Sequence, residues 1–436
     1  MVNLLKKELK DFFKSRLSLI YFSLLFLIIV YSFYSAVDLY SKASINAIDN
    51  PLYATGFEPI AGVFVPTFGG FFIIISLMLP FVLVQFIYKE KKYNTIVLVS
   101  QFPLSLFKIY LVKIISSILI IILSLLVFSP LFVIWNNLGG HLVFKELSLL
   151  LSGYFLYSLF VIGVSFFSIS VFKTSAQASI FSLSIIMFSW FVDFGKEMNI
   201  SSIIKKINIL SITSHLKRFE DSILSFQSVF YFILLFTFFV SLGYLFFKFS
   251  EKKRILKILI ILIIHFILFY FVFSFDMKYD LSESLKNSFS VSKNRFLKEI
   301  PKLRIKVYLR PTDSRYRDYE NDFLKKLRMV KSDVEIRFAD EDELKKNYGL
   351  FEYELNGKKT TTYSNSEEEI FMVLEEISNK KILKDKEKSL YKGYPLVVKG
   401  KWYISLYLIY FLIFPLILIF IYYKLNYSYR RLKNEN

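Results

Sequence analysis

The sequence predicts a polytopic α-helical membrane protein with about eight transmembrane helices and an α/β domain, outside the cytoplasm, between the last two. Of the 436 residues, 55% are hydrophobic and 19% aromatic, although 21% are charged. A bilayer core of about 30 Å requires about 20 mainly apolar residues per helix, and many runs of Phe, Ile and Leu reach that length. One long charged block, residues 277–401, interrupts these runs, and one further apolar run follows it. A folded domain held between two spans is therefore expected.

The chain opens on a segment that is amphipathic rather than uniformly apolar. Leu5, Leu9 and Phe12 belong to an apolar stripe beside a lysine-rich face, which is typical of a helix in the membrane interface. The apolar run that follows is too long for a signal peptide, and no small-residue cleavage site ends it. The predicted spans are about 17–37, 63–88, 107–134, 147–171, 177–192, 227–247, 255–275 and 402–424. The predicted parts are an interfacial helix at 1–16, a six-span domain at 17–250, the seventh span within 251–276, the extracytoplasmic domain at 277–401, and the eighth span with its tail at 402–436.

Charge predicts the orientation of the spans. Lysine and arginine gather in alternate connections and in the tail, whereas the short loops 38–62 and 135–146 carry few of them. The positive-inside rule then places both termini in the cytoplasm, as in a multi-pass protein of the bacterial cytoplasmic (inner) membrane. Loop 193–226 is an exception, because it is basic and would lie outside. The three tryptophans fall at outer ends of spans and are predicted to anchor the chain at the lipid headgroups: Trp135, Trp190 and Trp402.

The composition also excludes several kinds of chemistry. Without cysteine, the chain has neither disulfides nor thiolate ligands, and its three histidines lack metal-ligand spacing, so no metal and no cofactor are expected. The phosphate-binding motif of P-loop ATPases is missing, so the chain is not expected to be an enzyme. The net charge of +19 lies largely beside spans, which argues against nucleic-acid binding. His265 lies in the seventh span, where a neutral imidazole bonded to a backbone carbonyl is a simpler interpretation than a functional role.

One cytoplasmic stretch carries a recognisable pattern. Residues 88–113 run from a charged start through a short apolar segment and a proline turn into the third span. This stretch resembles the coupling segment of ABC-2-type transporter permeases, in which a Glu, a Gly-Thr pair, a Pro, a Ser and a Lys follow one another. The residues that match are Glu90, Thr95, Pro103, Ser105 and Lys113, with Asn94 in the place of the usual Gly. The interfacial helix resembles the elbow helix of that family, and the turn around Lys173 resembles its tight cytoplasmic turn.

The resemblance implies a function and partners. It implies the transmembrane permease subunit of an ABC transporter, an exporter, that pairs with a second permease copy or a related permease. A separate ABC ATPase subunit would supply the energy. The alternative is a non-transporting mechanical or signalling subunit that acts on an envelope partner. A channel or secondary carrier is disfavoured, because no span carries a series of Asp, Glu or Arg. The substrate stays open among lipids, peptides, drugs and polysaccharides.

The charged block reads as an α/β domain. Alternation predicts strands at 304–309 and 334–338, and Asn356-Gly357 predicts a hairpin turn within 351–363. Helical spacing is found at 315–331 and 366–379, where Ser366 is the predicted N-cap. The resulting order resembles a thioredoxin-like fold without its cysteines. With a span on each side, the block also resembles the auxiliary subunit of gliding-motility-type ABC transporters. The matching features are the Asp-x-x-x-Asp-Leu-Ser entry at 276–282, RIKVYLRP at 304–311, and Asp340 followed by Asn-Tyr-Gly at 347–349. The block would bind a substrate or an envelope partner, or merely cap the transporter.

Overall fold

A computed structural model describes residues 1–92, 105–197, 210–247, 254–274, 277–331, 333–382 and 391–434. The chain divides into two units, which are described separately. The membrane unit comprises Met1–Met277 and Lys392–Asn436, and the polar unit comprises Lys278–Tyr391.

The membrane unit is almost entirely helical. Its first half contains α1 (Val2–Phe13), α2 (Arg16–Asp49), α3 (Pro51–Ala54), a π-helical turn (Ile60–Phe64), α4 (Val65–Leu77), α5 (Leu79–Lys92), α6 (Leu106–Leu126) and α7 (Ser129–Asn137). Its second half contains α8 (Phe144–Val171), α9 (Ser175–Glu197), α10 (Ile212–Glu220), the short strand β1 (Ile223–Ser225), α11 (Phe226–Phe247) and α12 (Arg254–Ser274).

Seven helical stretches among the described residues are long and apolar enough to cross a bilayer. They are Arg16–Ala47, Ile60–Tyr88, Leu106–Asn137, Phe144–Val171, Phe226–Phe247, Arg254–Ser274 and Tyr403–Tyr427. The fifth predicted span, 177–192, corresponds to a shorter apolar stretch, Ser175–Trp190, at the start of α9. The chain is thus a helical protein with the character of a multi-pass membrane protein. The described residues contain seven candidate spans and this shorter apolar stretch, where the sequence predicts about eight spans.

Local sequence explains where the helices of the membrane unit begin. The hydroxyl of Ser15 accepts a hydrogen bond from the Ser18 amide at 3.2 Å, and that of Ser211 accepts one from the Ser214 amide at 3.1 Å. Such side chains satisfy amide groups that have no carbonyl partner in the first turn. Pro66 stands in the first turn of α4, directly after the π-helical turn Ile60–Phe64, and lacks the N–H that would donate to an earlier carbonyl of that turn.

The interior of the membrane unit is centred on α8, the most buried of the candidate spans, whereas α12 has no buried residue. Buried serines of α8 donate their hydroxyls to carbonyls four residues earlier, as Ser158 does to Tyr154 at 2.7 Å and Ser165 to Val161 at 2.8 Å. A hydroxyl satisfied within its own helix costs little in an apolar interior. These serines are therefore compatible with close helix packing.

The polar unit is built on one sheet. Its elements are β2 (Lys278–Asp280), α13 (Val291–Glu299), β3 (Leu303–Val307), α14 (Ser314–Tyr319), a π-helical turn (Glu320–Leu324), α15 (Lys325–Val330), β4 (Glu335–Phe338), α16 (Glu341–Lys346), β5 (Phe351–Leu355), β6 (Lys358–Thr362) and α17 (Glu367–Ser378). The four-stranded sheet has the order β4-β3-β5-β6, in which β3 and β4 are parallel and the other two pairs antiparallel. The chain then returns to the membrane unit with α18 (Tyr403–Tyr407), a π-helical turn (Leu408–Ile413) and α19 (Phe414–Asn434).

Alternation in the strands places one face of this sheet in a hydrophobic core. Leu303, Ile305 and Val307 of β3 are buried, and so are Phe351, Tyr353 and Leu355 of β5. Helices α14, α15 and α17 cover this face with buried side chains that include Tyr319, Phe323, Leu327, Ile370 and Leu374. The polar unit therefore has a core of its own.

Two local predictions for the polar unit are confirmed by its geometry. Asn356 and Gly357 both have positive φ, at 50° and 82°, as the tight turn between β5 and β6 requires. Ser366 caps α17, with its hydroxyl accepting from the Glu369 amide at 3.4 Å.

The polar unit carries a carboxylate whose ionisation should make its stability depend on pH. Lys293 and Lys326 donate to the two oxygens of Glu367, at 2.8 and 2.9 Å. Burial by itself raises the pKa of Glu367, but these two hydrogen bonds outweigh it and leave the pKa below its ordinary value. A depressed pKa stabilises the folded state above the ordinary pKa, and this contribution is lost as the pH falls through the folded-state value.

We therefore expect faster amide exchange in α17 as the pH falls below about 4.3, the ordinary pKa of Glu, after correction for intrinsic exchange rates. Hydrogen exchange of the purified full chain, read by mass spectrometry, measures this. Glu367→Gln should flatten the pH dependence, whereas Glu368→Gln, next to it on the same helix, should leave it unchanged. A similar pH response in both variants would contradict the assignment to Glu367.

Candidate functional site

Several elements that the sequence assigns to coupling meet on one face of the membrane unit. Phe12 of α1 packs edge-on against Phe86 of α5, with ring centroids 5.8 Å apart. Gln85 of α5 donates to the hydroxyl of Ser175, at the start of α9, at 3.2 Å. The turn 172–174, the end of α5, the start of α6 and α1 together form what we call the α1 face.

A buried ion pair fixes α1 on this face. The ammonium of Lys113, in α6, donates to both carboxylate oxygens of Glu8, in α1, at 3.1 and 3.2 Å. Both residues are almost fully buried, with 1% of the Lys113 and 4% of the Glu8 side chain exposed. The ammonium also lies 5.8 Å from the centre of the Phe86 ring. Since one buried charge without the other would be costly, this pair ties the position of α1 to that of α6.

The burial of Lys113 changes the interpretation of this residue. The family resemblance implies that Lys113 belongs to a surface that couples to an ATPase, but its ammonium is turned into the protein. It contacts Glu8 of α1 and is not exposed on the surface. The sequence did contain a signal for its partner, because Glu8 lies four residues from both Leu4 and Phe12 and so sits on the apolar stripe of α1.

The other predicted coupling residues are described only in part. Ser105 is exposed and caps α6, with its hydroxyl accepting from the Lys108 amide at 3.4 Å. Lys173 is exposed in the turn between α8 and α9. Glu90 lies in α5, and its side chain is outside the described part of the structure. Thr95 and Pro103 lie wholly outside the described residues.

At the opposite end of the membrane unit, which we call the distal face, α10 is held by buried polar contacts. Tyr154 of α8 donates to a carboxylate oxygen of Glu220 at 2.6 Å, and Ser222 donates to Glu146 at 3.2 Å. Burial raises the pKa of the Glu220 carboxyl, and the hydrogen bond from Tyr154 offsets only part of this effect. These contacts fix the turn that follows α10 against the distal end of α8.

A second set of contacts on the distal face joins α10 to the start of α11. His215 Nδ1 lies 2.9 Å from the Ser228 hydroxyl, and Arg218 donates to the side-chain oxygen of Gln227 at 2.7 Å and to Ser225 at 3.1 Å. A hydrogen-bonded network at low dielectric holds its members firmly. The sequence marks this segment as amphipathic, but the pairing of its polar groups is visible only in the structure.

The distal face also holds an extended segment, residues 392–401, which we call the strap. Its alternate amides donate to the membrane unit: Tyr394 to the Phe57 carbonyl at 3.0 Å, Leu396 to the Ser44 hydroxyl at 2.9 Å, and Val398 to the Ser41 hydroxyl at 2.8 Å. These three amides, at alternate positions along the strap, therefore face α2 or the loop that follows α3.

A ring stack fixes one end of the strap. The Tyr394 ring stacks on His141 with centroids 3.7 Å apart, and the Tyr394 carbonyl accepts from the Tyr40 hydroxyl at 2.7 Å. Gly393 allows this approach, because its φ is +71° and an added Cβ would lie 1.6 Å from the Ala54 carbonyl oxygen. No sequence pattern identified the strap, which the sequence assigns to the end of the domain at 277–401.

The three tryptophans do not share one role. Trp402 stacks on Tyr34 of α2, with ring centroids 5.6 Å apart, at the start of the last candidate span. Trp190 packs against Phe72, with centroids 5.3 Å apart. Trp135 is fully buried and donates its indole N–H to the His141 carbonyl at 2.9 Å. The Trp135 ring thus packs beneath the α7–α8 loop, and its role as a headgroup anchor stays a prediction.

The histidines are engaged in contacts of ordinary kinds. His265 Nδ1 lies 2.9 Å from the Ile261 carbonyl, which is the backbone contact that the sequence favours. Within the described ranges, no group of three or more His, Asp and Glu side chains could hold a metal ion.

Comparison with known proteins does not extend these observations. The chain matches no protein-family model, no curated protein and no solved structure.

Proposed function

We propose that the chain is the transmembrane permease subunit of an ABC transporter of ABC-2 type, an exporter that a separate ATPase subunit drives. The observation that carries the proposal is the α1 face. An amphipathic helix, a helix end that leads into the segment 93–104, and an exposed basic turn lie together there, in the order along the chain that the ABC-2 pattern requires. A soluble ATPase needs such a composite surface to move several helices at once.

The burial of the Glu8–Lys113 pair supports this proposal in a specific way. A helix that only lies in the membrane interface needs no ion pair with a buried residue of another helix. With the pair in place, a push on α1 is passed to α6 through a contact that is costly to break. We therefore assign to α1 the role of a lever between the ATPase and the spans.

The orientation and the fold of the polar unit belong to the same proposal. The distribution of lysine and arginine supports a bacterial inner-membrane protein with the α1 face and both termini in the cytoplasm. The polar unit would then lie outside the cytoplasm. Its strand order, with one parallel and two antiparallel pairs, supports a thioredoxin-like fold and, with the motifs around Asp280 and Tyr348, a likeness to gliding-motility-type auxiliary subunits.

A crosslinking experiment tests the proposed ATPase partner. The chain has no cysteine, so single cysteines can be introduced without background. Lys173→Cys on the α1 face should crosslink in native membranes to a nucleotide-binding chain, identified by mass spectrometry, and the purified chain alone should hydrolyse no ATP. Phe144→Cys, which is exposed at the distal end of α8, is the matched control and should not capture that chain. Capture by both positions, or by neither, would contradict the proposal, as would turnover by the pure chain.

The second candidate is a mechanical or signalling subunit that acts on an envelope partner, and the strap is the observation that favours it. The strap follows the polar unit in the chain and is hydrogen-bonded to the outer end of α2, so a movement of α2 would pull on the chain that leads to that unit. Replacing 281–382 with a short flexible linker, which keeps the strap intact, separates the two functions. A transporter should retain substrate-stimulated hydrolysis by its ATPase, whereas a mechanical subunit should retain only basal hydrolysis and lose its envelope function.

A further inference from the structure

A groove on the membrane unit lies apart from both the α1 face and the polar contacts of α10. It encloses about 480 Å³ between α7 and the start of the last candidate span. The residues that line it are Ser129, Pro130, Val133, Ile134, Asn137, Leu138, Trp402, Ser405 and Ile409. Its volume is within the range of about 300–1,000 Å³ that is usual for ligand sites.

The groove runs along the helix axes. On one side it extends from Leu138 to Ser129, and on the other from Trp402 to Ile409. At 1.5 Å per residue these stretches cover about 14 and about 10 Å, roughly the depth of one leaflet of a bilayer core of about 30 Å. Trp402 stands immediately before its candidate span, Tyr403–Tyr427, and an indole prefers the headgroup level. The groove therefore has one end at the interface and the other within the hydrocarbon.

The lining changes along this direction. Pro130, Val133 and Ile409 line the deeper part, where the Ser129 hydroxyl donates to the Leu126 carbonyl at 2.8 Å, while the amide of Asn137 lies near the interfacial end. The hydroxyl of Ser405 is turned back on the Trp402 carbonyl, to which it donates at 2.9 Å. A ligand that fits this arrangement has a long apolar chain and a polar end.

The charged residues beside the interfacial end of the groove indicate the charge of the ligand's polar end. Lys399 and Lys401 are exposed immediately before Trp402, and no acidic residue occurs within 391–410 or 126–143. Asp38, one turn beyond Tyr34 on α2, is already paired with Lys42 at 2.6 Å. The interfacial end of the groove thus lies beside positive charge, which favours an anionic ligand.

We propose that this groove binds one acyl chain of an anionic phospholipid, whose headgroup lies beside Lys399 and Lys401. The apolar wall holds the chain, Asn137 and Trp402 fix the depth of the glycerol region, and the two lysines select the headgroup. The site binds lipid whatever the function of the protein, so it stands independently of the proposed permease.

Native mass spectrometry of the full chain, released from detergent with equimolar phosphatidylglycerol and phosphatidylcholine, tests the proposal. We expect one phosphatidylglycerol to be retained with about a thirtyfold preference, the size that two lysines near an anionic headgroup suggest. Ser405→Phe should fill the groove and abolish this retention. Leu412→Phe, a similar change at an exposed position further along the same span, should not.

The double variant Lys399→Gln with Lys401→Gln separates the two parts of the site. It should retain one lipid but without preference for phosphatidylglycerol. The proposal is overturned if Ser405→Phe retains as much phosphatidylglycerol as the unaltered chain, or if the unaltered chain shows no preference between the two lipids. Circular dichroism spectra that match the unaltered chain show that each variant is folded.

Discussion

Replacing Lys113 with Met should destabilise the membrane unit by about 3–5 kcal/mol, the loss expected when one partner of a buried ion pair is removed. The Glu8 carboxylate would remain in a site where only 4% of its side chain is exposed, without its ammonium partner. Reversible unfolding of the purified chain in mixed detergent micelles, followed by circular dichroism, measures the loss.

Two further variants show whether the loss comes from the pair. Lys108→Met removes an exposed lysine from the same helix and should change the stability by less than about 0.5 kcal/mol. Glu8→Leu combined with Lys113→Met removes both charges and should recover much of the stability, since a buried pair replaced by apolar groups is often neutral or stabilising. If the single and the double variant are equally unstable, the interpretation of the pair as a charge-specific link is wrong.

Replacing Gly393 with Ala should release the strap from α2. The backbone conformation by itself costs about 1–2 kcal/mol in a residue with a side chain. In addition, a Cβ in ideal geometry would lie 1.6 Å from the Ala54 carbonyl oxygen and would have to move away from it. Because the amides of Tyr394, Leu396 and Val398 donate to the membrane unit, their release should raise their hydrogen-exchange rates by at least about tenfold, the equivalent of about 1.4 kcal/mol.

Gly400 offers a matched control for this variant. Its φ is also positive, at +79°, but an added Cβ would meet nothing within 4 Å. Gly400→Ala should therefore carry the conformational cost alone and leave the exchange of the three amides within about threefold of the unaltered chain. Equal acceleration by the two variants would show that the close approach to Ala54 does not hold the strap.

The functional consequences of these two variants should differ if the chain is a permease. Lys113→Met loosens α1, which we propose as the lever of the ATPase, and should lower substrate-stimulated hydrolysis in the assembled transporter. Gly393→Ala acts on the distal face and should leave hydrolysis unchanged. A loss of envelope function with normal hydrolysis in Gly393→Ala would instead favour the mechanical subunit.

The sequence by itself determined the features that depend on neighbouring residues. The apolar runs predict the candidate spans, because the length of an apolar helix is set by the bilayer and needs no tertiary contact. The turn at Asn356-Gly357 and the cap at Ser366 are predicted for the same reason, since the groups that interact lie within three residues of one another. The alternation in β3 predicts which of its side chains enter the core of the polar unit, whereas Phe338, at an alternating position of β4, is exposed.

Only the tertiary structure decided which distant groups meet. Glu8 and Lys113 are 105 residues apart in the chain, so the sequence shows two charges in apolar surroundings but not that each is the partner of the other. The sequence around Trp135 is typical of a headgroup anchor. The residue is nevertheless buried, because the α7–α8 loop folds back over its ring. The sequence around Gly393 does not show that a glycine is required there. A Cβ at this position is excluded by the Ala54 carbonyl, which belongs to a distant part of the chain. Packing between distant segments depends on the shape that all the helices form together. Hydropathy is a local property and does not predict that packing.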